Sequence, residues 1–507
     1  MKWPLALATC ITVWVSSACT AWPLMKNSTM VRHLEPAVQA DGSQSVLEAA
    51  RASGHFIPYF CWHPKLSVAG NCRICVVQVE GRSWVEIACN LPVTKGMRVL
   101  TDSDLVRAYR KDTLQLVTLN HPVDCGICDK AGECALQDYH YAYNGSPSLS
   151  DVPKVRATKL HDLSSRIVLD NERCILCSRC VRFTHEISQS KSLGIKHRGD
   201  HSLVRAAEDG AFDADPYSDN VIDICPVGAL LSKPFLHKAR VWYLKPTPSV
   251  CPGCERGCTV NIWHRKAEWH LRALDPQQNV SIARVTPLEN PAVNGPWICN
   301  KGRDLAQVFE RPRADHAMQK GKPVELGAAI AAARTLIGKA KHAVALVSSW
   351  GSNEELAAFK DVLAGRFTTF VKRDHVPEPG ERLEDDLLIR PDKNPNTAGA
   401  RALFGEASVR EPAFPAETDL LLVWGEGCNF AQLPAGAKLI FLNSYLQPEN
   451  GHADVFIPVS IQTERAGHYT NFAGVVSAFE RCFAKAATVA DAQELFAELA
   501  KGSTGKP

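Results

Sequence analysis

The sequence carries almost no excess charge of either sign: 57 Lys and Arg against 54 Asp and Glu leave +3 over 507 residues. A nucleic-acid binder needs a basic excess, so that class is excluded. Long hydrophobic runs are missing as well, since nothing after residue 30 is an uncharged apolar stretch long enough to span a membrane. No G-x-G-x-x-G follows a strand-like run, so the chain offers no dinucleotide fingerprint. No Arg precedes Arg32, which argues against a mitochondrial transit peptide. Nor is the chain short. Disulfides staple small secreted chains that cannot build a core, whereas this length supports roughly three to five compact units.

Cysteine is what the chain has in excess. Nineteen occur, most of them in tight groups between Cys61 and Cys299. C-x2-C pairs serve zinc as well as iron–sulfur clusters, so the spacing has to discriminate. The first set is Cys61-x10-Cys72-x2-Cys75-x13-Cys89, a close pair with an outlying cysteine on each side. A [2Fe–2S] rhomb takes two thiolates per iron, and a loop with a distant closing strand can supply them. Gly70, just before the pair, lets the backbone approach the cluster closely. The second set, His121-x3-Cys125-x2-Cys128-x5-Cys134, has a histidine where a fourth ligand is missing, and taken alone it suits zinc or a [4Fe–4S] cluster. The third is the sharpest: Cys174-x2-Cys177-x2-Cys180 with Cys225-Pro226 downstream, the bacterial ferredoxin signature. Arg173, Arg179 and Arg182 flank that run, either offsetting cluster charge or lying solvated at the surface. The fourth is Cys251-x2-Cys254-x3-Cys258, closed by Cys299 in the run C-N-K-G-R. Fifteen cysteines and one histidine thus make sixteen ligands for four clusters, leaving Cys10, Cys19, Cys428 and Cys482 over.

Local patterns place these sets. Ser45-Val46-Leu47-Glu48 is a capping box opening a helix from Val46 to Ser53, stopped at Gly54. Residues 74–80 and 84–88 alternate as strands do. Residues 103–120 read as an amphipathic helix, with Leu105, Tyr109, Leu116 and Leu119 among its apolar positions. Short elements wrap the cysteines over 121–240, and 241–303 reads as a small β-rich unit. From about residue 325, alanine-rich helices alternate with the buried-strand runs 343–350, 419–425 and 437–443, which predicts an α/β layer on a parallel sheet. The stretch 372–418 reads as an irregular insertion.

Residues 3–25 carry no charge, Lys2 precedes them, and LALATCITVWV leads into SSACTA, the composition of a secretory signal. Oxygen-labile clusters built on reduced thiols do not belong on an exported chain. Residues 1–29 are therefore read as a mis-annotated or signal-like extension outside the functional protein, with Met25 or Met30 as the better start.

The segments FCWHPKLSVAGNCRICVVQVEG, HPVDCGICDKAGECALQDYHY and RCILCSRCVRF, in this order, together resemble the large iron–sulfur subunit of bacterial NADH:quinone oxidoreductase, respiratory complex I. FIPVSIQTERAGHYTNFAGVVSAF (456–479) resembles that family's C-terminal region. The resemblance implies an α+β multidomain chain. Its parts are a β-grasp [2Fe–2S] ferredoxin domain (30–105), a His(Cys)3 [4Fe–4S] segment (106–145), a ferredoxin-like [4Fe–4S] segment (146–243), a Mo/W-oxidoreductase-type [4Fe–4S] domain (244–305) and a shortened α/β scaffold like that of molybdopterin oxidoreductases (306–507). It implies [2Fe–2S] at Cys61, Cys72, Cys75 and Cys89, and [4Fe–4S] at each of the other three sets, the fourth being a site that some bacterial members keep. No molybdopterin, FMN or NAD is expected on this chain, and no catalytic residue. The implied function is electron relay from a flavin/NADH-binding subunit toward quinone, through quinone-side iron–sulfur partner subunits. In the family the second and third clusters lie on the main relay and the fourth off it. The implied location is the cytoplasmic face of the bacterial inner membrane, peripheral through the complex. Two alternatives stand beside it: the electron-transfer subunit of an NAD-linked hydrogenase or formate dehydrogenase, and a zinc-stapled scaffold without redox activity.

Overall fold

Ser45 caps the first helix, α1 (Val46–Ala52), in the reciprocal way its sequence predicts. Its Oγ accepts from the Glu48 amide at 3.3 Å, and the Glu48 carboxylate accepts from the Ser45 amide at 2.8 Å. Gly54, just beyond, takes φ +78°, the left-handed turn that ends helices. The structure, a computed structural model, describes residues 11–16, 37–40, 42–270, 279–408, 414–427, 434 and 436–503, and divides into one unit up to Val241 and another from Trp242.

In the first unit, α1 packs Val46, Leu47, Ala49 and Ala50 into a core shared with Val77, Val79 and Val99. The sheet behind it comprises β1 (Ile11–Ser16), β2 (Ala37–Ala40), β3 (Val76–Val79), β4 (Val85–Ile87) and β5 (Arg98–Leu100), in the order β2-β1-β5-β3-β4. Residues 11–16 belong to the stretch set aside as an extension, yet they form an inner strand, antiparallel to β2 and parallel to β5. The run ITVWVS has the apolarity of a signal core, but its β-branched and aromatic residues equally suit a sheet. The remainder of 1–29, with Cys10, Cys19 and Met25, lies outside the described residues, as does Met30.

The helix α2 (Asp104–Asn120), capped by Ser103, departs from the sequence reading on its inner face. Its buried residues are Val106, Arg110, Leu114, Gln115 and Thr118, while Tyr109, Leu116 and Leu119 are exposed. Polar side chains take the inner face because they find partners there. Arg110 donates to the Val76 carbonyl at 3.0 Å and lies over the Tyr143 ring, and Gln115 donates to Asn144 at 2.8 Å. Beyond it, α3 (Ala135–Tyr139), a small sheet of β6 (His161–Asp162), β7 (Ile167–Leu169) and β10 (Leu230–Ser232), α4 (Arg179–Glu186), the hairpin β8 (Leu193–Lys196) with β9 (Leu203–Ala206), and α5 (Asn220–Ile224) surround the cysteine loops.

The second unit opens with an antiparallel sheet of β11 (Leu244–Val250), β12 (Thr259–Arg265) and β13 (Ile282–Pro287). After the short α6 (Leu305–Phe309) comes a seven-stranded sheet: β14 (Ala317–Gln319), β15 (Lys322–Val324), β16 (Ala343–Ser348), β17 (Phe367–Lys372), β18 (Leu420–Trp424), β19 (Lys438–Asn443) and β20 (Val455–Pro458), in the order β15-β14-β20-β19-β18-β16-β17. β16 to β20 are mutually parallel, and β16, β18 and β19 occupy the three runs read as buried strands. Both faces are covered, as a parallel sheet requires. Ala345, Val347, Leu422 and Ile440 meet α7 (Leu326–Lys339), α8 (Asn353–Leu363) and, past α9 (Thr397–Phe404) and the hairpin β21 (Gly467–Thr470) with β22 (Val476–Phe479), the final helix α10 (Ala492–Ser503). Val344, Leu346, Leu421, Val423 and Phe441 fill the other face. The stretch 372–418 is less loose than its composition suggests, for Asn394 and Asn396 are fully buried and α9 lies within it. Among the described residues no helix is long and apolar enough to cross a membrane.

Candidate metal centres

The first cysteine set sits where the loop after α1 meets β3 and the end of β4. Cys61, Cys75 and Cys89 are buried and Cys72 is partly so. The thiols fall into two pairs. Hydrogen bonding from Cys72 holds Cys61 down to about 5, with the Arg182 charge adding to this, and Cys75 likewise lowers Cys89. Cys72 and Cys75, the donors, are pushed far up. Two pairs of touching sulfurs match the two-per-iron demand of a [2Fe–2S] rhomb. Gly70 has φ +61°, and a Cβ there would come within 3.3 Å of the Ile87 side chain, so the loop closes tightly on β4.

The second set hangs from the end of α2. His121 is the helix C-cap, and its Nδ1 accepts from the Val123 amide at 3.1 Å, which leaves Nε2 as the nitrogen able to ligate. Burial depresses the imidazole to about 4, so the ring is neutral, the ligating form, throughout the physiological range. Val123 takes φ +53°, a strained conformation for a β-branched residue, in the tight turn between His121 and Cys125. Burial pushes Cys134 up to about 11 and raises Cys128. Arg240 clamps this loop by donating to the carbonyls of Gly126 and Cys128. The structure brings Cys125, Cys128 and Cys134 into mutual influence, while the charged groups acting on His121 are Asp124, Arg173, Asp170 and Lys154 rather than those thiols.

The third set is the most nearly complete in geometry. Cys174, Cys177, Cys180 and Cys225 all line one small cavity, whose other walls include Leu169, Val204, Val227 and Leu230. Left-handed turns at Leu176 (φ +52°) and Ser178 (φ +60°) wrap the run, and the Leu176 amide points at the Cys174 sulfur at 3.4 Å. Burial pushes Cys174 to about 12, Cys177 to about 11 and Cys180 well up. Among the described residues no three His, Cys, Asp or Glu side chains converge closely enough to grip one bare ion. The three arginines are not solvated. Arg173 is buried and forks onto Asp124 at 2.9 and 2.7 Å, Arg179 is buried, and Arg182 is half-buried.

These three sets touch one another through named residues. Arg179 donates to the Trp62 carbonyl and Arg182 to those of Cys61 and Ser67, joining the third run to the loop of the first. On the other side, the Pro226 carbonyl accepts from the Ala135 amide at 3.0 Å, and the Cβ position of Gly228 lies 2.1 Å from the Cys128 sulfur. The third set thus stands between the first and the second. Sequence reasoning missed Gly228. Its signal was a small residue just after Cys-Pro, where another backbone or side chain must approach closely.

In the second unit, Cys251, Cys254 and Cys258 occupy the turn between β11 and β12, with the Cys251 amide donating to the Cys258 carbonyl at 2.8 Å. Cys299 closes the set from ahead of a helical turn over Asn300–Arg303, and all four thiols interact, burial pushing Cys299 up to about 11. Cβ positions at Gly253 and Gly302 both lie 3.5 Å from the Cys251 sulfur. Nearby, a cavity of about 540 Å³ opens at the carboxyl ends of β16, β18 and β19, with Gly253 and Lys301 on its wall. Of the surplus cysteines, Cys428 lies with Cys10 and Cys19 outside the described residues, and the Cys482 amide donates to Thr463 at 2.8 Å.

Four family models match in chain order: a 2Fe-2S iron-sulfur cluster binding domain over 36–104, the NADH-ubiquinone oxidoreductase-G iron-sulfur binding region over 110–146, the ferredoxin-like domain of NADH-quinone oxidoreductase subunit 3 over 164–231, and the molybdopterin oxidoreductase Fe4S4 domain over 244–311. The NADH-quinone oxidoreductase G subunit of Rickettsia typhi is 35% identical over 57% of this chain and 41% of its own length. The mitochondrial NADH dehydrogenase [ubiquinone] iron-sulfur protein 1 of Solanum tuberosum is 36% identical over 56% of this chain and 36% of its own. Among solved structures, a chain of an NAD+-reducing [NiFe]-hydrogenase in the H2-reduced state is 33% identical over 39% of this chain and 84% of that one, with a TM-score of 0.36. The matched stretch spans about two fifths of the length of these curated relatives. Over its ordered iron–sulfur domains, the chain is similar to NADH-quinone oxidoreductase G subunits.

Proposed function

We propose that this chain is the electron-relay iron–sulfur subunit of an NADH:quinone oxidoreductase. The observation that carries the reading is the contact of three cysteine sets within one unit, the third set joined on one side to the first and on the other to the second. Cys61, Cys72, Cys75 and Cys89 would hold a [2Fe–2S] cluster in a β-grasp ferredoxin domain. His121, Cys125, Cys128 and Cys134 would hold a [4Fe–4S] cluster, as would Cys174, Cys177, Cys180 and Cys225, and the set Cys251, Cys254, Cys258 and Cys299. The clusters, when bound, supply one-electron transfer. The chain's own residues bury the sulfurs, exclude water and aim backbone N–H groups at them.

The α/β region of the second unit is a shortened relative of the molybdopterin oxidoreductase body, working as scaffold. Its cavity supports a reading without pterin, because the cations on its wall already have partners. Arg311 forks onto Glu426 at 2.9 Å, Arg465 pairs with Glu355, and Lys301 and Lys393 both pair with Glu381, at 2.7 and 3.8 Å. Among the described residues the wall presents no free cation to an anionic cofactor. The partners are a flavin/NADH-binding subunit on one side and quinone-side iron–sulfur subunits on the other, with attachment to the inner face of a bacterial membrane through the complex.

Anaerobically purified protein is expected to contain about 14 iron atoms per chain, from one two-iron and three four-iron clusters. Iron and sulfide analysis checks this, and stoichiometric zinc with little sulfide would overturn the reading. His121→Cys is expected to keep the second cluster but lower its potential, because thiolate adds a negative charge. His121→Ala leaves one iron without a protein ligand and the cluster labile. Paramagnetic resonance of both variants is the check, and unchanged spectra in both would remove His121 from the set.

A further inference from the structure

Arg179 and Arg182 differ from Arg173, the other arginine of the third run, in what they bond. Arg173 is neutralised by Asp124 and Asp170. Arg182 instead donates to the carbonyls of Ser67, of Cys61 at 2.5 Å and of Cys177 at 3.3 Å, with its Nε on the Ser178 hydroxyl at 3.2 Å. Arg179 donates to the Trp62 carbonyl at 2.6 Å and the Ile224 carbonyl at 2.9 Å, and lies over the Tyr59 ring at 5.5 Å. The carboxylate following on α4, Glu186, is taken up by the Ser67 amide and hydroxyl at 2.8 and 2.5 Å. Among the described residues neither guanidinium has a carboxylate partner within 4 Å. Two uncompensated charges therefore sit between the two sets, each bonded to the residue at, or next to, a cysteine of both. Arg182 spans Cys61 and Cys177, while Arg179 spans Trp62, which follows Cys61, and Ile224, which precedes Cys225.

We propose that Arg179 and Arg182 form a shared cationic bridge that fixes the first and third sites against each other and raises the reduction potential of both. The inference rests on the cluster assignment above. Adding an electron to either site adds negative charge, and a nearby desolvated cation stabilises the reduced form more than the oxidised one. Carbonyl partners leave that positive charge whole, where a carboxylate would cancel it. One pair of residues thus acts on both sites at once, whereas Arg173, already paired, acts weakly on its neighbours. Both arginines are positioning residues, and guanidinium geometry suits the role because it forks across two backbone segments.

The test is a potentiometric titration of the full chain, followed by paramagnetic resonance, comparing wild type with Arg182→Gln, Arg179→Gln and Arg182→Lys. Each glutamine variant is expected to lower the reduced-to-oxidised ratio of the first and third sites together, by about tenfold at fixed potential, or about 59 mV for one electron. The second and fourth sites stay put. Arg182→Lys keeps the charge and holds both potentials near wild type. If Arg182→Gln fails to fold, Arg179→Gln decides. Unmoved potentials in a variant with full iron and sulfide overturn the bridge, as does a shift confined to one site or an Arg182→Lys shift equal to that of glutamine. A wild type lacking iron and sulfide sinks the cluster assignment instead, so the two failures are distinguishable.

Discussion

Gly228→Ala is expected to strip the second site of its iron, although residue 228 follows the third set's Cys225. A Cβ at this position would lie 2.1 Å from the Cys128 sulfur, with the Lys130 Cβ 3.2 Å away and the Arg173 Cδ 3.7 Å away. Cys128 cannot retreat freely, because it is buried and its carbonyl is held by Arg240. Overpacking of this kind costs about 1–3 kcal/mol in a close-packed interior, and here the yielding atom is the one that must ligate. Iron is expected to fall by about four atoms per chain, the content of one cubane, with the second site's resonance lost and the first and third retained. Gly126→Ala is the control. It lies in the same loop, yet a Cβ there meets nothing within 4 Å, so its iron content and spectra stay those of wild type. Equal iron in both variants would show that the Cys225–Gly228 turn does not press on the second set.

What could be read in the sequence was local. The Ser45–Glu48 box fixes α1 because both hydrogen bonds close within four residues. The runs at 343–350, 419–425 and 437–443 announce β16, β18 and β19 because a parallel strand is buried on both faces and needs continuous apolar residues. The four cysteine groups were equally plain, since spacing alone sets them out. What escaped depended on distant partners. The inner face of α2 holds Arg110 and Gln115, which become acceptable inside only once Val76 and Asn144 are in place. The arginines of the third run looked like either counter-ions or surface residues, and the acceptors that decide between these lie 115 and 121 residues upstream of Arg182. Gly228 matters through a sulfur a hundred residues away in sequence. Residues 11–16 are ambiguous for another reason: one apolar, β-branched run satisfies the composition of both a signal core and a strand.

A chain that begins at Met30 is therefore expected to lose the first cluster. Such a truncation removes β1, which lies between β2 and β5 and pairs with four residues of one and three of the other. Without it β2 has no neighbour in the sheet order, and β5 becomes an edge strand. Each buried backbone group left unpaired costs about 1–3 kcal/mol, and several such losses rival the whole stability of a domain, about 5–15 kcal/mol. The core at risk contains Val38, Ala40 and Val99, and it is the same core that buries Cys75 and Cys89. Loosening it should release the two-iron site while the sets at Cys174 and Cys251, which lie outside that core, keep their iron. Iron and sulfide analysis with visible circular dichroism of the two chains measures this, and thermal melting of the ferredoxin sheet should fall sharply. Val13→Pro in the full chain is the finer probe. Val13 stands in register with Val38 inside the β1–β2 ladder, and proline is poorly tolerated inside a sheet. It should reproduce the truncated chain's loss without shortening anything. A chain from Met30 that keeps its two-iron cluster and melts with the full-length protein would restore residues 1–29 to the status of an extension, because a strand that can be removed without cost is not holding the sheet.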